Sequence, residues 1–427
     1  MTTIDLLSEA FQAHPHPAYA LLRQDGAVHR TAGPMGLETW LITHYDVARD
    51  VLADNRFSKD PTLAPDWLRS MGAGGDEGPL GANMLNSDPP DHTRLRRLVG
   101  KAFTPRRIER MRPRIQEITD ELLESLAAAR RPDIVAHLAF PLAMTVICEL
   151  LGVPPADRRA FGTWTDMALA PPVDEEAVLR RKQGNAAMES YLTALIAELR
   201  ARIDPGLPVD AQPDLLSVLV AAADGRDALS ERELIGMAKL LIVAGHNNAA
   251  NMVGNGVLSL LRAPDQLALL RARPDLLPSA VEELLRYDGP IERATWRFTT
   301  ADTEVAGSVI PAGSVVAVVL AAADRDPARF PEPDRLDITR ADQEHLAFGH
   351  GIHYCLGAAL ARAEGEIAFG SLLRRFPVLA LDCPPEELRW RIGGPSITRG
   401  VAALPVTFRA QAPSTSGDAP AEGARQR

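Results

Sequence analysis

Residues 229–262 constrain the fold more than any other stretch. Ser230-Glu231-Arg232-Glu233 has the form of a capping box, with Leu229 and Leu234 placed as a hydrophobic staple. The apolar pattern it opens runs to about Arg262, roughly 33 residues or ~50 Å at 1.5 Å per residue. A helix of that length crosses a whole molecule. Leu240 to Leu261 carries no formal charge and has the length of a membrane span. His246, Asn247, Asn248, Asn251 and Asn255 lie inside it, however, and such amides are costly in lipid. The expectation is a buried helix in a soluble protein, with no membrane span.

The surrounding composition fits. At 427 residues the chain exceeds the size at which one core stops growing, about 250–300 residues. Its 46% hydrophobic and 24% charged content is ordinary for a globular protein. A net charge of −10 argues against nucleic acid as a partner. Only Lys59, Lys101, Lys182 and Lys239 are lysine; every other basic residue is arginine or histidine, which reads as GC-rich codon bias. Cys148, Cys355 and Cys383 form neither a short-spaced metal pair nor a disulfide framework. No basic region followed by an apolar run opens the chain, so a cytoplasmic location is expected.

Along the chain, a strand is expected at Trp40–Thr43 and a helix from Tyr45. The Pro- and Gly-rich residues 61–90 read as a lid or binding loop. Thr104-Pro105 caps a helix, and helical spacing continues over 134–151, 156–170, 174–203, 264–272 and 275–287. After Pro290 alternation suggests a small sheet. A last helix starts near Leu356, and 377–410 returns to strands. The expected fold class is mainly α with small β-sheets. One catalytic domain is expected over 1–411, followed by a disordered tail over 412–427.

The sharpest local feature is AFGHGIHYCLGAALARAE, residues 347–364. Gly349, Gly351 and Gly357 surround Cys355 and let backbone approach a flat partner. A helix starting just after Cys355 aims its N–H groups at the sulfur and favours thiolate. A lone thiolate suits an axial ligand to one iron, whereas structural zinc needs three more ligands. A buried structural cysteine is the bland alternative.

Phe348-Gly349-His350-Gly351-Ile352-His353-Tyr354-Cys355-Leu356-Gly357 resembles the heme-binding loop of the cytochrome P-450 superfamily in its soluble bacterial form. Three other segments agree in order: Glu283-Leu284-Leu285-Arg286 is similar to the ExxR pair, and Ala321–Pro333 to the segment beside the meander, with Asp324 where asparagine is common. Asp88–Leu98 is similar to the helix at the heme edge. The resemblance covers about residues 15–409. It implies the cytochrome P-450 fold, with the long central helix over heme b (iron protoporphyrin IX) held by a cysteine-thiolate loop. It makes Cys355 the metal ligand, His92, Arg96, Arg297 and His353 the propionate contacts, and Phe348, Gly349 and Gly357 part of the cofactor loop. Glu283 and Arg286, at i and i+3, become a structural pair; as a bare sequence feature such a pair is more often solvated.

At the oxygen site the chain departs from the family. Relatives carry an acid and an alcohol in the central helix to deliver protons; here the matching run is Ala244-Gly245-His246-Asn247-Asn248-Ala249. Asn247 stands at the acid position and Asn248 at the alcohol position, and amides do not titrate near neutral pH. Three readings follow. Water held by Asn248 carries protons, with or without a substrate hydroxyl. Alternatively, the enzyme performs oxidative C–C or C–O coupling or cyclisation with no oxygen insertion. The third reading is a heme-containing binding or recruitment module. His246, on the adjacent helical position, should point away from the heme.

The resemblance places the substrate pocket at Met84, Leu85, Val243, Ile291, Ala294, Thr295 and Ile397, mostly apolar; core packing is the competing reading of each. It implies a monooxygenase that hydroxylates or epoxidises a hydrophobic secondary metabolite, free or carrier-bound, and a monomer. No flavin or iron–sulfur motif is present, so electrons from a ferredoxin and its NAD(P)H-driven reductase are expected. Arg97, Lys101, Arg106 and Arg107 form a candidate docking patch for that partner, or a solvated helix face.

Overall fold

The capping box forms as its residue types require. Ser230 Oγ accepts the Glu233 N–H at 3.2 Å, and Glu233 accepts the Ser230 N–H at 2.8 Å. The helix it starts runs over Glu231–Arg262, nearly all of it buried between Leu234 and Leu260. The amide nitrogen of one buried asparagine is met by neighbouring backbone: Asn255 Nδ2 donates to the Arg399 carbonyl at 3.1 Å and the Asp288 carbonyl at 3.3 Å. Such partners are what a polar group inside a core needs. Around this central helix pack the helices Phe140–Leu150, Leu277–Asp288 and Ala358–Arg375.

The computed structural model describes residues 8–32, 38–70, 81–101, 103–169, 175–204, 206–223, 229–392 and 398–409. Ile397, the middle of the 61–90 loop and the tail expected from 412 lie outside them. Among the described residues no helix is long and apolar enough to cross a membrane.

The largest sheet differs from the local one expected after Pro290. Its strands are β1 (Val28–Ala32), β2 (Glu38–Ile42), β3 (Phe57–Ser58), β4 (Arg297–Thr299) and β5 (Val315–Val318), in the order β1-β2-β5-β4-β3. β2 runs parallel to β5, with Trp40 opposite Val316, and the other pairs are antiparallel. Three strands therefore come from the first 58 residues. Parallel pairing needs a long crossover, which no local pattern announces. The hairpin Thr303–Val305/Ser308–Ile310 stands apart, and Ala306 (φ 48°) and Gly307 (φ 79°) turn it as a two-residue loop with both φ positive. In the Val135–Ala139 stretch the helix is π rather than α, continuing as α from Phe140.

Two placements matter for the site. β3 pairs with β4 so that Ser58 lies opposite Phe298, which carries Lys59 across to Thr295 and Trp296. Meanwhile Gly245 admits the Phe140–Leu150 helix: a Cβ there would sit 2.7 Å from Ile147 Cδ1.

Candidate active site

The helix Leu277–Asp288 supplies Glu283 and Arg286, each with a side chain 1% exposed. Arg286 Nε and Nη2 meet the Glu283 carboxylate at 2.7 and 2.8 Å. Arg286 Nη1 also donates to the carbonyls of Asp324 (2.8 Å) and Pro333 (2.9 Å). Glu283 takes the Asp337 N–H at 2.8 Å and Arg340 Nε at 3.2 Å. A fully bonded pair of this kind repays its desolvation, whereas a half-bonded one does not. Asp324, buried, accepts the Leu346 N–H at 2.6 Å and so fixes the entry to the cysteine loop. Burial pushes its carboxyl up to about 6, against His345 and the Leu346 hydrogen bond.

Past Leu346 the chain folds back on itself. Gly349 N donates to Leu346 O at 2.7 Å, Tyr354 N to Gly351 O at 3.1 Å and Cys355 N to Phe348 O at 2.9 Å. Gly351, at φ 72°, presses on Leu52 O, 2.9 Å from where a Cβ would stand, so only glycine fits. Arg362 lies over the Phe348 ring at 4.6 Å and binds Glu282 at 2.7 and 2.8 Å.

Cys355 is exposed, and it opens into a cavity of about 290 Å³. Burial by the surrounding protein raises its thiol pKa; the Gly357 N–H, Arg96 and Arg362 act in the opposite sense. From above, the cavity is lined by Leu241, Ala244, Gly245 and Asn248 of the central helix; Met84, Leu85, Ile291, Ala294 and Thr295 form its walls. Phe348, Gly349, His353 and Gly357 line it beside Cys355, and Arg96 and Arg297 stand at its edge. Val243 and Asn247 are not among the lining residues. His246 is also off the cavity, fully buried, its ring 4.2 Å from that of Phe140, and burial lowers its pKa to about 3.

Asn248 faces inward in a defined way. Its Nδ2 donates to Ala244 O at 3.0 Å, and its buried Oδ1 has no partner. Glu364, missed by sequence reasoning, is the one carboxyl among the lining residues; it is buried, its Oε2 lacks a partner, and burial raises its pKa to about 8. Lys59 was also missed. The signal lay in its being a lysine in an arginine-dominated chain.

The edge of the cavity is strongly cationic. The rings of His92 and His353 meet at 4.3 Å, tilted by 58°, and the Nε2 of each is buried without a partner. Arg297 is 4% exposed and makes only long contacts, 3.4 Å to Thr295 O and 3.5 Å to Leu52 O. Arg96 donates to Tyr354 O at 2.6 Å. Buried imidazole nitrogens without partners, beside two guanidinium groups in no salt bridge among the described residues, are a setting that an anion would satisfy. A flat group with carboxylates at one edge, lying between the central helix and the Cys355 sulfur, fits these residues.

A sequence model of the family described as Cytochrome P450 matches residues 6–152 and 164–398. The chain is 50% identical to the cytochrome P450 monooxygenase PikC of Streptomyces venezuelae over 406 residues, 94% of this chain and 93% of that protein. The structure of the myxobacterial cytochrome P450 CYP267B1 with myristic acid superposes with a TM-score of 0.86 at 40% identity, covering 95% of this chain and 99% of that one. The cytochrome P450 enzyme CxnD, for C–S bond formation in chuangxinmycin biosynthesis, superposes at 0.84 with 40% identity over 92% of this chain and 94% of that one. This chain belongs to the cytochrome P450 family. It is an oxidoreductase of the heme-thiolate monooxygenase type.

Proposed function

We propose that this protein inserts oxygen into a hydrophobic secondary metabolite, using heme b that Cys355 would hold through its sulfur. The carrying observation is the cavity itself: Cys355 opens into a space walled by Met84, Leu85, Leu241, Ile291 and Ala294. When bound, the heme supplies dioxygen activation driven by two electrons. The chain's own residues do the rest. His92, Arg96, Arg297 and His353 hold the cofactor's carboxylates. The apolar walls exclude water and orient the substrate by shape, which suits a large greasy scaffold with few polar contacts.

Protons are handled by Asn248. Its Oδ1, buried without a partner, would accept one hydrogen of a water molecule and leave the other free to point into the cavity. A substrate hydroxyl completes the same position. Asn247 takes no direct part, and His246, neutral and off the cavity, does not relay.

Electrons come from a ferredoxin and its reductase. Arg97, Lys101 and Arg106 are exposed, and Arg96, beside Arg97 on its helix, reaches Tyr354 O of the cysteine loop, where Ile352 and Tyr354 are exposed at 43% and 38%. Arg107 departs from the expected patch: it is buried and donates to Gln212 O at 2.6 Å.

The amides at 247 and 248 favour a second reading, oxidative coupling or cyclisation, and the likeness to CxnD keeps C–S chemistry beside it. Turnover under ¹⁸O₂ separates the two. One labelled oxygen in the product supports insertion; a ring-closed product without label supports coupling.

A further inference from the structure

Lys59 is 4% exposed. Its Nζ donates to Thr295 Oγ1 and to the Trp296 carbonyl oxygen, both at 2.6 Å. Neither acceptor is an anion. An ammonium buried without a counter-charge is costly, and burial, with Arg297 adding to it, holds the Lys59 pKa well below its ordinary value. Asp88 is the carboxylate that acts on it, and that carboxylate is engaged elsewhere: Ser58 Oγ donates to Oδ2, and the Lys59 backbone N–H to Oδ1 at 2.9 Å. Nothing in the local packing calls for a charge at this position.

The β3–β4 pairing explains where the charge goes. It sets Lys59 against Thr295 and Trp296, next to Arg297 and His353. Lys59, Arg96 and Arg297 are three cations at one edge; among the described residues Asp88 is the carboxylate that acts on Lys59 and Arg297, whereas the group that acts on Arg96 is Cys355. Asp88 is already engaged by Ser58 and by the Lys59 backbone, so Lys59 and Arg297 together carry more positive charge than that one carboxylate offsets. A cofactor carboxylate arriving beside them would balance it.

Thr295 adds a direction. A lysine donates and never accepts. Because Thr295 Oγ1 accepts from Lys59, its own hydroxyl proton points elsewhere, and Thr295 lines the cavity. The cavity wall therefore presents a hydroxyl donor polarised by a buried cation.

We propose that Lys59 and Thr295 are a carboxylate-holding pair for the heme: the Thr295 hydroxyl donates to a cofactor carboxylate, and the Lys59 ammonium balances it. This rests on the heme-thiolate reading and adds two residues to it that the sequence pattern did not mark for this role. The same donor would suit a carbonyl or carboxylate oxygen on a substrate, and the test separates the two sources.

The test uses the holoenzyme with Lys59→Met, similar in length and uncharged, and Thr295→Val, which keeps the shape and removes the hydroxyl. Heme transfer to apomyoglobin, the propionate-bending bands in resonance Raman spectra, the reduced CO spectrum and the thermal midpoint are measured on each. Lys59→Met is expected to lose heme about tenfold faster, to shift the propionate bands, and to keep the thiolate-type CO absorption. Thr295→Val shifts the same bands with a smaller rate effect. A lower thermal midpoint with heme transfer and propionate bands unmoved would make Lys59 merely structural and overturn the proposal. So would a Thr295→Val protein with unmoved bands but a weakened spin shift for oxygen-bearing ligands, since the hydroxyl would then serve substrate. Should Lys59→Met fail to fold, Thr295→Val carries the test with the lysine in place. Loss of the thiolate-type absorption in the unmodified protein would fault the heme-thiolate reading instead.

Discussion

The two sides of the cavity are built by opposite means. Around Cys355, the backbone N–H groups of Leu346, Ala347, Gly349, Tyr354 and Cys355 are all bonded, and the loop is tied through Asp324 and Arg286 to a buried ion pair. Across the cavity, Met84, Leu85, Leu241, Ile291 and Ala294 offer apolar surface, and Asn248 Oδ1 is an acceptor without a partner. Hydrogen bonds are directional and fix one geometry; apolar contact is not and admits many shapes. The side that holds the metal is therefore over-determined, and the side that chooses the substrate is permissive.

Substitutions on each side should break that contrast in different ways. Cys355→Ala has the largest expected effect: the reduced CO complex loses its thiolate-type absorption and turnover is abolished. Glu283→Ala leaves Arg286 buried and unpaired, so a loss of about 3–5 kcal/mol in stability is expected from denaturant unfolding, with heme released alongside. A loss below about 1 kcal/mol would show the pair to be dispensable. Glu364 sharpens the picture through pH. Its folded pKa is raised to about 8 from an ordinary 4.5, so the folded state holds a proton the unfolded state releases between those values. Stability from this group is fully present below about 4.5 and falls as pH rises toward 8, by up to about 1.4 kcal/mol per unit. Glu364→Gln should flatten that slope, as read from thermal midpoints between pH 5 and 8.

Smaller effects are expected on the permissive side. Asn248→Leu removes the water-holding oxygen, and product formed per NADPH should drop by about tenfold, less than the roughly 10²–10⁴-fold typical of a titrating acid or base because an amide only holds the water. Asn248→Thr restores a hydroxyl, and coupling should remain above that of the leucine variant. Ile291→Ala should weaken binding of an apolar ligand by about 1–3 kcal/mol in a spin-state titration, while the CO spectrum stays unchanged.

What was legible in the sequence follows the same division. The central helix announced itself through a capping box and a long periodic run, both local signals, and the cysteine loop through glycines needed at fixed offsets. The five-stranded sheet was not legible, because β2 pairs with β5 across more than 270 residues. Lys59 was hidden for the same reason: its partners Thr295 and Trp296 are 236 and 237 positions away. Arg107 read as a surface charge because periodicity places it on a helix but says nothing of the loop that brings Gln212 over it. The family pattern put Val243 in the substrate pocket and Asn247 at the acid position of the proton relay, yet the turn of the helix keeps both off the cavity lining. The apolar wall residues carry no mark that separates a substrate contact from core.

The most direct test is a spin-state titration of the purified ferric protein against macrolides, terpenoids, aromatic polyketides, cyclic peptides and carrier-tethered acyl chains. A saturable low-to-high-spin shift with at least one hydrophobic scaffold is predicted, as ligand packs against the wall above Cys355 and displaces water from the iron. A protein with intact thiolate ligation that shifts with none of them would contradict a cavity built to place such scaffolds over the metal.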